Sequence, residues 1–82
     1  MIETTRATIV AILTEASDKE IDPSQITETT TLRDGLALDS MQAIHICLDL
    51  ETRFGITVED EKIRGLKTVG DLFMLVEGSL PP

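Results

Sequence analysis

The side chains that could do chemistry in this chain are few, and they are not spaced to act on one another. Catalysis by an activated nucleophile needs a base within hydrogen-bond reach of the nucleophile. The only His, His45, follows Ser40 by five residues on what we predict to be one helix. Five residues turn an α-helix by roughly 140°, so the two side chains point in different directions. One Cys and one His are also too few for a four-ligand zinc site. We therefore expect neither an enzyme nor a resident metal.

Ser40 is nevertheless a candidate modification site because of the place it takes along the chain. Asp39 and Ser40 follow a long polar segment and precede an apolar pattern of helical period. Asp39 fits the N-cap and Gln42 fits the third helical position, which together predict a capping box and put Ser40 in the first turn. First-turn N–H groups and the helix dipole favour a phosphate there. An ordinary helix start explains the same residues, since Asp and Ser are common N-caps.

The chain before Ser40 is predicted to form one helix and a long ordered loop. The helix should run over residues 3–16, because apolar residues recur at helical spacing: Ile9, Ile12, Leu13 and Ala16, with Ile2 in line upstream. The loop should run over residues 17–38. Loops of that length in compact domains are usually functional or disordered. Order is favoured here by apolar residues that can pin the loop to the core: Ile21, Ile26, Leu32, Leu36 and Leu38.

Three further helices are predicted after the loop. The second should end at Gly55, and its inner face consists of Ala43, Ile46, Cys47, Leu50 and Phe54, with Cys47 expected to pack in the core. A short third helix should lie near residues 59–64. The fourth should begin with a capping box of Thr68 and Asp71, bury Val69, Leu72, Phe73 and Val76, and be closed by Gly78 and the final prolines. We therefore predict a single all-α domain over residues 1–82, a small bundle of about four helices with a long loop between the first two.

Composition restricts the partners. The chain has 7 basic and 15 acidic residues, a net charge of −8. This charge repels phosphate backbones and anionic membrane surfaces, which argues against nucleic-acid binding, and it attracts partners with basic patches. No apolar run is long enough to span a membrane. One Cys forms no intramolecular disulfide and no secretory signal is visible, so we expect a cytoplasmic protein. We also expect a monomer.

The stretch from Leu32 to Met41 resembles the phosphopantetheine attachment site of acyl carrier proteins. That family typically has a loop Leu and then Asp-Ser-Leu at the head of its second helix, where this chain has Asp39-Ser40-Met41. Other segments fall where family members have similar ones, and they extend the resemblance over nearly the whole chain: Ile21-Asp22-Pro23, Phe54-Gly55-Ile56, Asp60-Glu61 and residues 68–73.

The resemblance implies a function and a cofactor. A phosphopantetheinyl transferase would attach 4'-phosphopantetheine from coenzyme A to Ser40, and Asp39 would assist docking with the transferase besides capping the helix. The thiol of the arm would hold an acyl group as a thioester. The chain would present that group to acyl-transferring, condensing or modifying enzymes with basic docking patches.

The outer side of the second helix is a candidate docking surface for these enzymes. Met41, Ile44 and Leu48 form a second apolar line there, and it either contacts the third helix and the loop or binds partners. Both interpretations stay open. The polar residues beside this line that we assign to partner binding are His45, Asp49 and Glu51.

Two departures from the family pattern concern specificity and backbone freedom. Carriers of fatty-acid synthesis often have acids two and five positions after the Ser, where this chain has Gln42 and His45. We therefore expect a specialised acyl or polyketide-like pathway. Ala37 stands where Gly is common, so the loop should be less free to take positive φ.

Two alternatives to a discrete acyl carrier remain: an interaction module that is never pantetheinylated, and a carrier domain excised from a multi-enzyme synthase.

Overall fold

The computed structural model describes residues 2–80, and in that range the chain folds into four α-helices and one short 3-10 helix. The α-helices are α1 (Glu3–Ala16), α2 (Ser40–Phe54), α3 (Asp60–Arg64) and α4 (Val69–Ser79). The 3-10 turn, Pro23–Gln25, lies in the loop between α1 and α2. The prediction of an all-α bundle with a long first loop is confirmed. None of the helices in residues 2–80 is long and apolar enough to cross a membrane.

A single hydrophobic cluster holds the helices together. Its members with no measurable exposure come from three helices: Ile9, Leu13, Leu50, Val69 and Val76. Burial of one such side chain contributes about 1.5–3 kcal/mol. The stripe predicted for α1 was wrong at one end, because Ile2 is 72% exposed. Ile2 is the N-cap residue of α1, so the first turn of this helix extends beyond the core.

The long loop is ordered, as its apolar residues predicted. Ile26, Leu32, Leu36 and Leu38 are buried, and Ile21 packs half-buried against the cluster.

Backbone hydrogen bonds also fasten the loop to the start of α4. The N–H of Leu32 donates to the carbonyl of Lys67 and the N–H of Val69 donates to the carbonyl of Thr30, both at 2.9 Å. Close packing within the loop requires a glycine, since a Cβ on Gly35 would lie 2.7 Å from the carbonyl oxygen of Thr31. The segment that leads into Ser40 is therefore supported along most of its length.

The predicted helix ends are correct for α2 and wrong for α4. Gly55 ends α2 with φ 64°, the left-handed conformation that glycine adopts without steric cost. Gly78 does not close α4, which continues to Ser79. A glycine inside a helix costs only about 1 kcal/mol relative to alanine, so packing of the apolar face of α4 carries the helix past it. The predicted closure by the final prolines concerns residues 81 and 82, outside the described range.

Candidate functional site

The start of α2 is built by a reciprocal pair of hydrogen bonds. The Asp39 carboxylate accepts from the backbone N–H of Gln42 at 2.8 Å, and the Gln42 side-chain oxygen accepts from the backbone N–H of Asp39 at 2.9 Å. The two bonds complete the predicted capping box. They also satisfy two N–H groups that the first turn would otherwise leave unpaired.

This capping leaves Ser40 at the first helical position with its side chain exposed. In residues 2–80 no protein group forms a hydrogen bond with the Ser40 hydroxyl. An exposed hydroxyl at the positive end of a helix is accessible to a modifying enzyme, and a phosphate attached to it would be electrostatically favoured. The position can therefore hold a covalently attached phosphodiester.

Gln42 has a further structural role that the sequence analysis missed. Its side-chain amide N–H donates to the carbonyl oxygen of Ala16 at 2.9 Å, which joins the start of α2 to the end of α1. Nearby, the Ser17 hydroxyl donates to the carbonyl oxygen of Leu36 at 2.6 Å. The end of α1 thus holds the chain on both sides of Ser40. The capping bonds between Asp39 and Gln42 could be predicted from the local sequence, whereas the two bonds to the end of α1 could not.

Ala37 adopts the positive φ that we expected it to resist. Its φ is 55°, in the left-handed region, three residues before Ser40. A non-glycine residue in that region costs roughly 1–2 kcal/mol. The neighbouring anchors outweigh that cost, since Leu36 and Leu38 are buried on either side.

The outer side of α2 is exposed and apolar at three positions. Met41 is 63% exposed, Ile44 is 44% exposed and Leu48 is 54% exposed. Ile44 also lines a groove that Ile63 of α3 lines as well, so this side chain lies on the side of α2 that faces the third helix. These side chains are not core residues.

The polar residues assigned to this surface differ in their surroundings. His45 and Asp49 are exposed. Glu51 is half-buried, and its carboxylate accepts from the backbone N–H of Val58 at 3.4 Å. Glu51 therefore has a structural contact in addition to any partner contact.

Cys47 packs in the core, as predicted, with 1% of its surface exposed. Burial, together with the nearby negative charge of Glu51, raises the pKa of the thiol to about 11. The thiol is therefore neutral at physiological pH and is not a nucleophile. Among residues 2–80 no group of three or more His, Cys, Asp or Glu side chains is placed to hold a metal ion.

Comparison with known proteins agrees with this geometry. A family profile described as "Phosphopantetheine attachment site" matches residues 7–73. An acyl carrier protein of an Exiguobacterium species is 41% identical over 59 residues, which cover 72% of this chain and 75% of that protein. A meromycolate extension acyl carrier protein of Mycolicibacterium smegmatis is 32% identical over 75 residues, 89% of this chain and 76% of that protein.

Solved structures show the same fold. The crystal structure of an acyl carrier protein from Thermotoga maritima superposes with a TM-score of 0.79 at 27% identity and covers 94% of this chain and 87% of that one. The solution structure of a hexanoyl acyl carrier protein from the actinorhodin polyketide synthase of Streptomyces coelicolor gives a TM-score of 0.76 at 23% identity, with 88% and 85% of the two chains covered. At that identity the second likeness concerns the fold alone.

Proposed function

We propose that Ser40 carries the phosphopantetheine arm, because the chain belongs to the acyl carrier protein family and Ser40 is the exposed hydroxyl at the head of α2. Proteins of this family hold acyl groups on covalently attached 4'-phosphopantetheine and are carriers, not catalysts, and this chain is one of them. The observation that supports the choice of residue is the Asp39–Gln42 capping box, which leaves Ser40 exposed in the first turn.

Attachment is a phosphoryl transfer in which Ser40 is the nucleophile. Its Oγ forms a bond to the phosphorus next to pantetheine in coenzyme A, and the bond from that phosphorus to adenosine 3',5'-bisphosphate breaks. The hydroxyl proton passes to a base on the phosphopantetheinyl transferase. Asp39 is exposed, and only one of its carboxylate oxygens is used in the cap, so it can also contact the transferase. The attached arm supplies the thiol that holds the acyl group as a thioester.

Intact-mass measurement tests the assignment to Ser40. After incubation with coenzyme A and a broad-specificity transferase, the wild type should gain one phosphopantetheine unit and Ser40→Ala should gain none. Ser24→Ala is the matched control and should load like the wild type, since Ser24 is exposed in the 3-10 turn and not at the start of α2. Loading of Ser40→Ala would refute the assignment. A wild type that no transferase loads would favour the alternative of an unmodified interaction module.

We further propose that partner enzymes dock on the outer side of α2. Support comes from the exposed apolar line of Met41, Ile44 and Leu48, which lies within a few turns of Ser40. His45 and Asp49 would form part of the polar rim, and Glu51 its edge. Apolar anchors usually carry most interface energy, while rim charges set the rate of encounter. The net charge of −8 fits partners with basic docking patches.

Turnover by an acyl-transferring partner tests this docking surface. Leu48→Ala should reduce kcat/KM without changing the melting temperature, whereas Met74→Ala, which removes an exposed apolar side chain on α4, should leave turnover unchanged. Asp49→Lys should slow association and flatten its dependence on salt. Equal effects of Leu48→Ala and Met74→Ala would contradict a specific surface on α2.

The pathway we propose is a specialised acyl or polyketide-like one. Its support is the presence of Gln42 and His45 where fatty-acid carriers often have acids. Because Gln42 is tied to Asp39 and Ala16, Gln42→Asp would disturb the fold as well as add charge. His45→Glu is the cleaner test, and it should improve use by fatty-acid-synthase enzymes while the neutral His45→Gln does not. A wild type that those enzymes already use well would contradict this proposal.

The remaining proposals are that residues 1–82 form one domain, that it is monomeric and that it works in the cytoplasm. The single core cluster in residues 2–80 supports the first. Light scattering of the loaded protein measures the second, and fractionation of the native host measures the third. The genomic neighbourhood separates a discrete carrier from a domain excised from a synthase.

A further inference from the structure

A groove opens directly beside Ser40, between α2, α3 and the loop that precedes Asp39. Its volume is about 600 Å³. Ser40 and Ile44, one helical turn apart, form part of its α2 side, and Ile63 and Leu66 line it from the opposite side. Because Ser40 itself lines the groove, a group attached to its Oγ begins inside this space.

Three basic side chains line the groove. Arg33 comes from the loop, Arg64 from the end of α3 and Lys67 from the segment before α4, and all three line the groove. They are three of the seven basic residues in a chain with fifteen acidic ones. In a chain with this excess of acidic residues, nearly half of the basic residues line one groove.

The three basic side chains differ in whether a carboxylate of the protein already interacts with them. Backbone hydrogen bonds from Lys67 and Thr68 chiefly lower the pKa of the Asp71 carboxyl, and the nearby charge of Lys67 lowers it further, so Lys67 is partly engaged with Asp71. The guanidinium groups of Arg33 and Arg64 form no ion pair within residues 2–80. Two carboxylates also line the groove, Asp34 and Asp39, and an oxygen of Asp39 is used in the helix cap. The two arginines are therefore the cations available to a bound anion.

We propose that Arg33 and Arg64, assisted by Lys67, bind an oxyanion that is carried on the arm of Ser40. This inference rests on the attachment proposed above. The arm offers an oxyanion at its root, the phosphodiester, and a carboxylated acyl group offers another at its far end. A guanidinium binds either through paired N–H···O hydrogen bonds, which are stronger beside apolar walls such as Ile44 and Ile63 than in open water.

Thermal unfolding of the unmodified protein and of three loaded states tests the proposal and identifies the anion. The states are the unmodified protein, the free-thiol arm, the hexanoyl form and the hexanedioyl form, each checked by intact mass. The two acyl chains have six carbons and differ by the terminal carboxylate. A melting-temperature gain from unmodified to free-thiol protein assigns the phosphodiester. A gain of hexanedioyl over hexanoyl protein assigns the cargo carboxylate. At least one of the two gains is expected, and it should shrink with added salt.

Arginine variants test whether the gain in melting temperature comes from the groove. In the double variant Arg33→Gln, Arg64→Gln the gain should fall by at least half. It should persist in Arg53→Gln, which removes an equally exposed cation at the end of α2, away from the groove. If the double variant is poorly folded, side-chain Nε–H resonances of Arg33 and Arg64 in wild-type protein provide a second measurement, and they should shift between the unmodified and the relevant loaded state.

The failure of this inference is distinct from failure of the attachment to Ser40. Absence of a mass increase would contradict the attachment. Successful loading with no gain in the wild type, or with equal gains in the wild type and the double variant, would overturn the anion site. Equal gains for hexanoyl and hexanedioyl protein, with no gain on arm attachment, would show that apolar contact alone fills the groove.

Discussion

At the start of α2 the Asp39 carboxylate accepts from the backbone N–H of Gln42, and the backbone N–H of Asp39 donates to the Gln42 side-chain oxygen. At the start of α4 the Thr68 hydroxyl accepts from the backbone N–H of Asp71, and the backbone N–H of Thr68 donates to the Asp71 carboxylate. Both helices thus begin with a capping box, and the residue that follows the N-cap differs. At α2 it is Ser40, which is exposed, and at α4 it is Val69, which has no exposed surface. A capping box therefore precedes an exposed hydroxyl at the start of α2 and a buried core residue at the start of α4.

The third helical residue accounts for a second difference between the two helix starts. The Gln42 amide has an N–H group left over from the cap, and it reaches the carbonyl of Ala16 on another helix. Asp71 has no donor, and one of its oxygens accepts the backbone N–H groups of Lys67 at 2.9 Å and Thr68 at 3.1 Å. An amide at this position joins two elements, whereas a carboxylate secures its own turn.

The largest expected effect separates the two first-turn residues. Val69→Ala should lower the free energy of unfolding by about 2 kcal/mol, because it removes buried methyl groups and leaves a cavity. Ser40→Ala should change the unfolding free energy by less than about 0.5 kcal/mol, since it alters an exposed side chain. Urea denaturation of the unmodified proteins measures both. Similar losses in the two variants would mean that the two helix starts do not differ as described.

The next effect concerns the link from α2 to α1. Gln42→Ala should cost about 1–2 kcal/mol, because it removes the acceptor for Asp39 and the donor to Ala16 at once. Gln42→Glu keeps the acceptor and loses the donor, so its loss should be intermediate at neutral pH. Gln25→Ala, at an exposed position in the 3-10 turn, is the control. A Gln42→Glu variant as stable as the wild type would show that the contact with Ala16 contributes nothing.

The sequence was sufficient to predict the capping boxes because each depends on residues three positions apart. The core faces followed from apolar spacing and the end of α2 from Gly55 for the same local reason, whereas Gly78 gave a wrong end for α4. The contacts Gln42–Ala16 and Ser17–Leu36 join residues 26 and 19 positions apart, and no local pattern signals them. Gln42 was consequently interpreted as a capping residue and as a missing acid on a recognition surface, and its bond to Ala16 was missed.

The same limit applies to the groove beside Ser40. Arg64 and Lys67 are near neighbours in the sequence, but Arg33 lies 31 residues before Arg64, and only the folded chain brings it to the same groove. The sequence did predict the helix-start position of Ser40, because the capping pattern of Asp39 and Gln42 is local. The attachment of an arm to Ser40 stays a prediction. The sequence did not predict the exposure of Ile2, since the apolar period of α1 continues past the point where the core ends.

A smaller effect distinguishes the α4 cap by its dependence on pH. Hydrogen bonds from the backbone N–H groups of Lys67 and Thr68 lower the pKa of Asp71 in the folded protein. The stabilisation is therefore complete above about pH 5 and is lost as the pH falls below about 4. Asp71→Asn should be less stable than the wild type by about 0.5 kcal/mol at neutral pH, a value kept small because the group is solvated.

The difference between wild type and Asp71→Asn should shrink in acid, as Asp71 becomes protonated. Denaturation at pH 7 and near pH 3 measures it, and Asp34→Asn controls for removing one negative charge. The Asp34 carboxylate accepts no hydrogen bond from any group within residues 2–80, so Asp34→Asn should show no comparable loss of stability at pH 7. A constant deficit of Asp71→Asn at both pH values would attribute the effect to packing and not to the carboxylate.

The smallest effect concerns how the chain enters each helix. Ala37, with φ 55°, precedes the cap of α2 by two residues, and no other non-glycine residue in the described chain has positive φ, including the residues that enter α4. Glycine at position 37 would remove a steric cost of roughly 1–2 kcal/mol and add about 0.5–1 kcal/mol of unfolded-chain entropy. Ala37→Gly should therefore raise the unfolding free energy by roughly 0.5 kcal/mol. The same change at Ala11, exposed within α1, should instead lower it by about 1 kcal/mol. Opposite signs in the two variants, measured by urea denaturation, would establish that the entry to α2 is strained, and equal losses would show that the buried Leu36 and Leu38 hold Ala37 without cost.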